Sequence, residues 1–302
     1  MKSRQYFVYD VFADTALAGN PLAVVMDAEG LDTGRMQAIA REFNLSETVF
    51  VLPPKNPIHK ASIRIFMPRG ELPFAGHPTV GTAVALAERV SDDCAAGILV
   101  LEEKVGPVRC VVTRGEWPTF AEFDLPKLPT RIDATLDAAA VAAALGLVPH
   151  EIGFENHKLG IWSAGVPYVT VPVAGLDEVG RAAVDAAMWL DIAPRVSGSV
   201  PAPYIYSRET VGHDCAFHAR MFAPWDGIAE DPATGSAAAA FAGAVHHFDQ
   251  PTDGQHRYWI EQGVEMGRPS RIRLEVDVAS GRLTHARIGG HAVKVAEGLL
   301  YA

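Results

Sequence analysis

Cysteine is scarce in this chain. Three residues in 302, at positions 94, 110 and 215, include no Cys-x-x-Cys pair. That pattern excludes a disulfide framework and a cysteine-rich zinc site, and it fits a reducing, cytoplasmic setting. Basic residues are outnumbered, 26 Lys and Arg against 36 Asp and Glu, for a net charge of −10. Such a chain lacks the positive field that holds phosphate backbones or anionic lipid, so neither nucleic acid nor a membrane is expected as a partner. Long apolar runs are missing too: Ala138–Val148 and Ala237–Val245 are the longest, far short of the roughly 20 residues of a membrane span. Lys2 and Arg4 precede an apolar stretch, but Asp10 interrupts it and no small-residue cleavage site follows, so no targeting signal is expected. GxGxxG, GxxxxGKS/T and HExxH are all absent, and His246-His247 are adjacent rather than one helical turn apart. Nicotinamide, P-loop and metal chemistry are therefore disfavoured. What remains, 49% hydrophobic and 21% charged over 302 residues, is globular composition sized for one large domain or two of ordinary size.

An internal repeat favours two. Gly19-Asn20-Pro21-Leu22-Ala23-Val24-Val25 is echoed by Gly165-Val166-Pro167-Tyr168-Val169-Thr170-Val171, and Arg64-Ile65-Phe66-Met67-Pro68 by Arg220-Met221-Phe222-Ala223-Pro224. Pro78-Thr79-Val80-Gly81-Thr82-Ala83 is paired with Pro232-Ala233-Thr234-Gly235-Ser236-Ala237. A weaker match joins Gly106-Pro107-Val108-Arg109 to Gly267-Arg268-Pro269-Ser270-Arg271. The matches keep their order, with offsets of 146, 156, 154 and 161, which reads as a duplicated domain. The boundary is expected in the proline-containing stretch Pro126–Thr135, giving domains of residues 1–126 and 127–302, with the last strand able to return to the first domain.

Strands are expected at Tyr6–Phe12, Leu22–Met26, Glu47–Leu52, Ala61–Phe66, Ile98–Glu103 and Val108–Thr113, which are rich in β-branched and aromatic residues. Asp32 is placed to cap a helix over Asp32–Phe43, and Asp137 precedes a second over Ala138–Leu147. Each repeat then carries an unusual helix, expected over Thr79–Arg89 and Thr234–His246, that is small and apolar nearly all round. A helix with no polar face must be buried on all sides. The fold class expected is α+β: two pseudo-symmetric domains, each a curved, mostly antiparallel sheet rolled around a central buried helix.

A buried helix presents unpaired N–H groups and the positive end of its dipole at its N-terminus, so the two helix mouths would make a carboxylate site in a cleft between the domains. Close packing is the plainer explanation of Gly81 and Gly235. The polar residues at the mouths differ: Gly76-His77-Pro78 in one repeat and Glu230-Asp231-Pro232 in the other. Glu47 stands where a helix ends and an apolar strand begins, a poor place for a carboxylate unless it faces a cavity. Burial there would raise its pKa toward the range useful for proton transfer. The alternatives are a capping or solvent-facing Glu47, a core imidazole at His77 and an N-cap at Asp231.

GNPLAVV, FNLSETVFV, LPFAGHPTVGTA, AEDPATGSA, IEQGVEMGRPSRI and GGHAVKVAEG, spread from about Phe7 to Glu297, together resemble the phenazine-biosynthesis PhzF-like family. That family is similar to diaminopimelate epimerase in fold, and its defining member isomerises trans-2,3-dihydro-3-hydroxyanthranilate without a cofactor. The resemblance implies a homodimer and places the family's acid/base glutamate at Glu47, its supporting catalytic histidine at His77, its catalytic aspartate at Asp231 and its helix-mouth serine at Ser236; Ser46, Gly76 and Gly235 are further expected substrate-binding residues. Related racemases use two thiols, one at each helix mouth; neither mouth carries a cysteine here. A single carboxyl that takes a proton at one carbon and returns it at another fits better. An epimerase or dehydratase of a small carboxylate, or a carboxylate-binding protein on the same fold, stays open at this point.

Overall fold

Residues 2–89, 96–114 and 117–302 are described in the computed structural model, which leaves Cys94 outside. Two units divide the chain: Met1–Pro126 with Ile288–Ala302, and Lys127–Arg287. The first contains β1 (Ser3–Val11), β2 (Asn20–Val25), α1 (Thr33–Phe43), β3 (Glu47–Leu52), β4 (Ala61–Met67), β5 (Gly70–Leu72), α2 (Gly76–Glu88), β6 (Ala96–Glu103), β7 (Gly106–Thr113) and β8 (Phe120–Asp124). The second contains β9 (Thr130–Ile132), α3 (Ala138–Ala144), β10 (Gly160–Ser163), β11 (Pro167–Pro172), α4 (Leu176–Arg181), α5 (Ala186–Ile192), β12 (Ala202–Ser207), β13 (Phe217–Ala223), β14 (Ile228–Asp231), α6 (Gly235–Asp249), β15 (Gly254–Gln262) and β16 (Ser270–Ala279). The long β17 (Arg282–Tyr301) starts in the second unit and ends in the first. The class is α+β, mostly sheet with few helices.

In the first unit the sheet closes on itself. β1 is antiparallel to β17 and β2, β2 is parallel to β3, and β3 is antiparallel to β4. β4 carries the short β5 antiparallel on one side and then pairs in parallel with β6. β6, β7 and β8 follow antiparallel, and β8 returns to β17. The second unit runs through the same series. β11 is parallel to β12, β12 antiparallel to β13, β13 bears β14 and then meets β15 in parallel, and β15 is antiparallel to β16.

Each sheet wraps one apolar helix. Gly76 to Ala87 of α2 are all buried, against β1, β2, β3, β6, β7 and β8. In α6, Ala237 to Val245 are buried, with β9, β10, β11 and β16 around them. Phe241 of α6 anchors an aromatic cluster, 4.5 Å from Tyr206, 4.9 Å from Phe217 and 5.6 Å from Tyr204 between ring centres. The other sheet faces are covered by amphipathic helices: Met36, Ile39 and Ala40 of α1 meet Val25, Phe50 and Phe66. Val141 and Ala144 of α3 and Trp189 of α5 meet Val169, Val171 and Ile205, with Trp225 packed on the same core. The Asp32 carboxylate accepts from Arg35 N at 2.7 Å and so starts α1, as its sequence position predicts. Asp137 caps α3 in the same way, although that helix ends at Ala144, short of Leu147.

The likeness of the units reaches side-chain detail. Arg64 of β4 grips Glu71 of β5 through two hydrogen bonds of 2.7 and 2.8 Å. Arg220 of β13 grips Glu230 of β14 through bonds of 2.8 and 2.9 Å. Each guanidinium also lies over a phenylalanine two residues on, Phe66 or Phe222. One expectation needs correction. α2 begins at Gly76, three residues before Thr79, because Pro78 fits within the first turn, where its missing N–H costs no hydrogen bond. His246 and His247 lie within α6, which continues to Asp249, and His246 Nε2 bonds the Gly281 carbonyl at 3.2 Å. Among the described residues no helix is long and apolar enough to cross a membrane.

Candidate active site

Glu47 reaches its place through the end of α1. Asn44 ends that helix in the left-handed conformation with φ of 51°, its N–H bonding Ala40 O at 3.1 Å. Only Leu45 and Ser46 separate Asn44 from β3, so Glu47 is the first residue of a strand paired in parallel with Leu22 of β2. Its side chain is buried and Ser46 beside it is half-buried. The solvent-facing alternative for Glu47 is therefore removed.

His77 is the second residue of α2, after Gly76, and is buried. Its Nε2 lies 3.2 Å from Glu47 Oε2. The two atoms approach without hydrogen-bond alignment, and no other group among the described residues bonds this ring nitrogen. Burial drives the imidazole pKa down to about 3, so the ring is neutral across the physiological range. A carboxyl group thus faces a neutral imidazole at the N-terminus of an enclosed helix. There Gly76 and His77 supply N–H groups that have no partner within the helix, while Pro78 has none to give.

Behind this mouth lies a group that the sequence reading passed over. Thr79 Oγ1 is 2.7 Å from the Ala75 carbonyl, at the N-cap of α2, and 2.7 Å from Oε1 of Glu103, the last residue of β6. Glu103 is buried, and desolvation raises its pKa to about 8.

In the second unit Asp231 ends β14 and is buried. It is not the cap of α6, as one alternative held: Thr234 is. The Thr234 hydroxyl donates to Asp231 Oδ2 at 2.6 Å. Gln262, the last residue of β15, donates to the Asp231 carbonyl at 2.7 Å and to Thr234 Oγ1 at 2.9 Å, and accepts from Thr234 N at 3.2 Å. Gly263 follows with φ of 73°, and a Cβ there would come within 2.6 Å of the Pro232 carbonyl, so only glycine lets this loop close over Pro232. Gly235 and Ser236 are the first two residues of α6, and Ser236 Oγ is 2.7 Å from the Tyr168 hydroxyl. Tyr168, Thr234 and Gln262 escaped the sequence reading, although all three lie inside repeated or quoted motifs; a polar residue in an otherwise apolar repeat was the available signal.

The helix starts correct the third repeat match. Ala75-Gly76-His77 occupies the N-cap and first two positions of α2, and Thr234-Gly235-Ser236 those of α6. The Arg64–Glu71 and Arg220–Glu230 pairs lead into these mouths, so Leu72-Pro73-Phe74-Ala75-Gly76-His77 corresponds to Asp231-Pro232-Ala233-Thr234-Gly235-Ser236. Gly81 therefore belongs to the second turn of α2 and not to its mouth. A Cβ on it would lie 2.6 Å from side-chain atoms of both Val11 and Leu22, so close packing accounts for it. The polar residues are unequal between units: His77 answers to Ser236, Asp231 to Leu72, and Glu47 to Ala202, which faces Tyr168 across the second parallel pair as Glu47 faces Leu22.

The family model of the phenazine biosynthesis-like proteins, PhzC-PhzF, matches residues 9–298. An uncharacterized isomerase of Mesorhizobium japonicum is 64% identical over 302 residues, covering all of both chains. The trans-2,3-dihydro-3-hydroxyanthranilate isomerase of Pseudomonas aeruginosa is 37% identical over 297 residues, 98% of this chain and 99% of that one. Among solved structures, the PhzF-family phenazine biosynthesis protein of Bacillus anthracis superposes with a TM-score of 0.88 at 28% identity over the whole of both chains. The match to the family model over nearly the full length, and the motifs that build these two helix mouths, establish that the chain belongs to the phenazine biosynthesis-like protein family.

Proposed function

We propose that this protein is an isomerase that moves a proton between two carbons of a small cyclic or unsaturated carboxylate, with Glu47 as the proton carrier. The observation that carries the reading is the buried Glu47 carboxyl set against the neutral His77 imidazole at a helix N-terminus. The name of the 37% identical relative supports the reaction class. Glu47 as carboxylate takes the C–H proton. The electron pair of that bond moves into the unsaturated system, and Glu47 returns the proton at a second carbon. Backbone N–H groups at the helix starts, of Gly76, His77, Gly235 and Ser236, hold the substrate carboxylate and part of the developing negative charge. His77 and Asp231 bond the substrate's amino or hydroxyl groups, and Ser46 helps to bind the substrate. One carboxyl suffices for this shuttle, and the second unit's counterpart position is Ala202.

The same proposal takes the two units as pseudo-symmetric repeats of a diaminopimelate epimerase-like fold, and the protein as a cytoplasmic homodimer that works without a cofactor. Proton NMR in D2O tests the function directly. The protein is mixed with dihydro-hydroxyanthranilate and a panel of small cyclic carboxylates, beside a Glu47→Gln control. Deuterium entering a ring carbon with the parent alone is the expected result. Tight binding of a panel member with no exchange overturns the reading in favour of a carboxylate-binding protein.

A further inference from the structure

Glu103 has no part in the reaction above, and three observations set it apart. The first is a count of protons. Thr79 Oγ1 has one hydrogen and stands 2.7 Å from two oxygens, the Ala75 carbonyl and Glu103 Oε1. A carbonyl can only accept, so both contacts are hydrogen bonds only if the hydroxyl proton goes to Ala75 O and Glu103 carries a proton for the other. The second is the counterpart in the other unit. β6 and β15 hold the same place in the strand series, and Leu101 and Glu102 pair with β4 as Ile260 and Glu261 pair with β13. The next residue is Glu103 in one strand and Gln262 in the other. Gln262 is an amide, the permanently neutral shape of a protonated glutamate, and it bonds the N-cap residue Thr234. The third is burial: Glu103 is 8% exposed and its Oε2 has no hydrogen-bond partner among the described residues, an arrangement costly for a carboxylate.

We propose that Glu103 is a positioning residue held as the neutral acid, donating to Thr79 so that Thr79 can fix the Ala75 carbonyl, and with it the His77 end of α2. Resting on the functional reading above, its neutrality also keeps a competing negative charge away from the helix mouth that holds the substrate carboxylate. Around it stand the buried Cys110 thiol on β7, itself pushed up by burial and by Glu103, and Glu102 and Lys104 on either side along the chain. Arg64, Glu71 and His59 line the adjoining groove, already joined in the Arg64–Glu71 and His59–Glu102 pairs. Among the described residues no cation bonds the Glu103 carboxyl, and burial raises its pKa from 4.5 to about 8.

The decisive comparison is Glu103→Gln, which copies the second unit. An acid whose folded pKa lies above its unfolded value weakens the fold as pH rises between the two. The parent is therefore expected to match E103Q in Tm near pH 4.5 and to fall steadily below it up to about pH 8. An infrared band of a protonated carboxyl, present in the parent at pH 6 and missing in E103Q, is expected alongside. The His77 ring resonances should shift in the parent as Glu103 ionises and stay constant in E103Q. Thr79→Val should uncouple His77 from this titration, and Thr79→Ser should restore it. A constant Tm difference between parent and E103Q over this pH range, absence of the infrared band, or a His77 signal indifferent to Glu103 overturns the proposal. None of these readouts needs a substrate, so the proposal stands or falls independently of the functional reading. Where turnover is measured, KM for the carboxylate should rise in the parent above pH 8 with kcat less affected, and E103Q should lack that rise.

Discussion

Glu47 Oε2 and His77 Nε2 stand 3.2 Å apart, both side chains buried, and the imidazole carries no charge. A neutral ring beside the carboxyl forms no ion pair with it, which is what the proposed proton shuttle on Glu47 requires. Glu47→Gln keeps the shape and loses the base, so turnover should fall by at least about 10³-fold while carboxylate binding is kept. Single-turnover kinetics with a separate binding isotherm checks this, and an active E47Q would remove Glu47 from its role.

His77 also makes a pH prediction. Its folded pKa of about 3 lies below the ordinary 6.5, so only the unfolded chain gains this proton as pH falls between the two. The contribution of His77 to stability should therefore decline from pH 6.5 downward. Histidine NMR should find its ring unprotonated at pH 5, and a His77 resonance titrating near 6.5 would contradict the burial argument.

His218 behaves in the opposite way. Its Nδ1 lies 2.7 Å from Glu261 and its Nε2 2.8 Å from Glu265. Burial opposes the charge, yet these two carboxylates outweigh it and raise the pKa to about 9. Glu261 in turn accepts from Val211 N and Gly212 N, so the triad ties a loop to β15. The stabilisation is complete below pH 6.5 and is lost as pH rises through about 9. His218→Gln should cost about 3–5 kcal/mol at pH 6, as expected when one partner leaves a buried charge network. That cost should shrink above pH 9. Chemical denaturation at the two pH values measures both.

The paired arginines offer an internal comparison. Arg220 is buried and also donates to the carbonyls of Val179, Gly180 and Ala182, whereas Arg64 is partly exposed and gives one further donor to Thr33. Arg220→Met should destabilise by about 3–5 kcal/mol and Arg64→Met by about 1 kcal/mol. Equal losses would mean that the carbonyl contacts of Arg220 contribute nothing.

Phe241→Ala tests the core of the second unit. The ring is fully buried among Tyr204, Tyr206 and Phe217, and its removal opens a cavity that a rolled sheet cannot close. A loss of about 3–5 kcal/mol is expected in urea unfolding.

Much of this was legible in the residues. The strand expected at Glu47–Leu52 forms with those bounds, and Asp32 and Asp137 cap the helices they precede. Both depend on interactions within a few residues. The start of α2 was misread because Pro78 looks the same before a helix as within its first turn. That error shifted the repeat match by five residues and hid the correspondence of His77 with Ser236. Glu103 and Gln262 were invisible because each sits at a strand end far along the chain from the threonine it bonds.

The sequence by itself determined what short-range chemistry governs: which segments are strands, that two helices without a polar face must be enclosed, and that Glu47, His77 and Asp231 stand where polar residues need a reason. The tertiary structure alone decided that Glu47 meets His77, that Thr234 and not Asp231 caps α6, and that a glutamate and a glutamine support the two helix mouths. Local propensity acts over a turn or two of chain. Protonation and partnership depend on burial and on atoms brought together from distant strands, which no stretch of sequence contains.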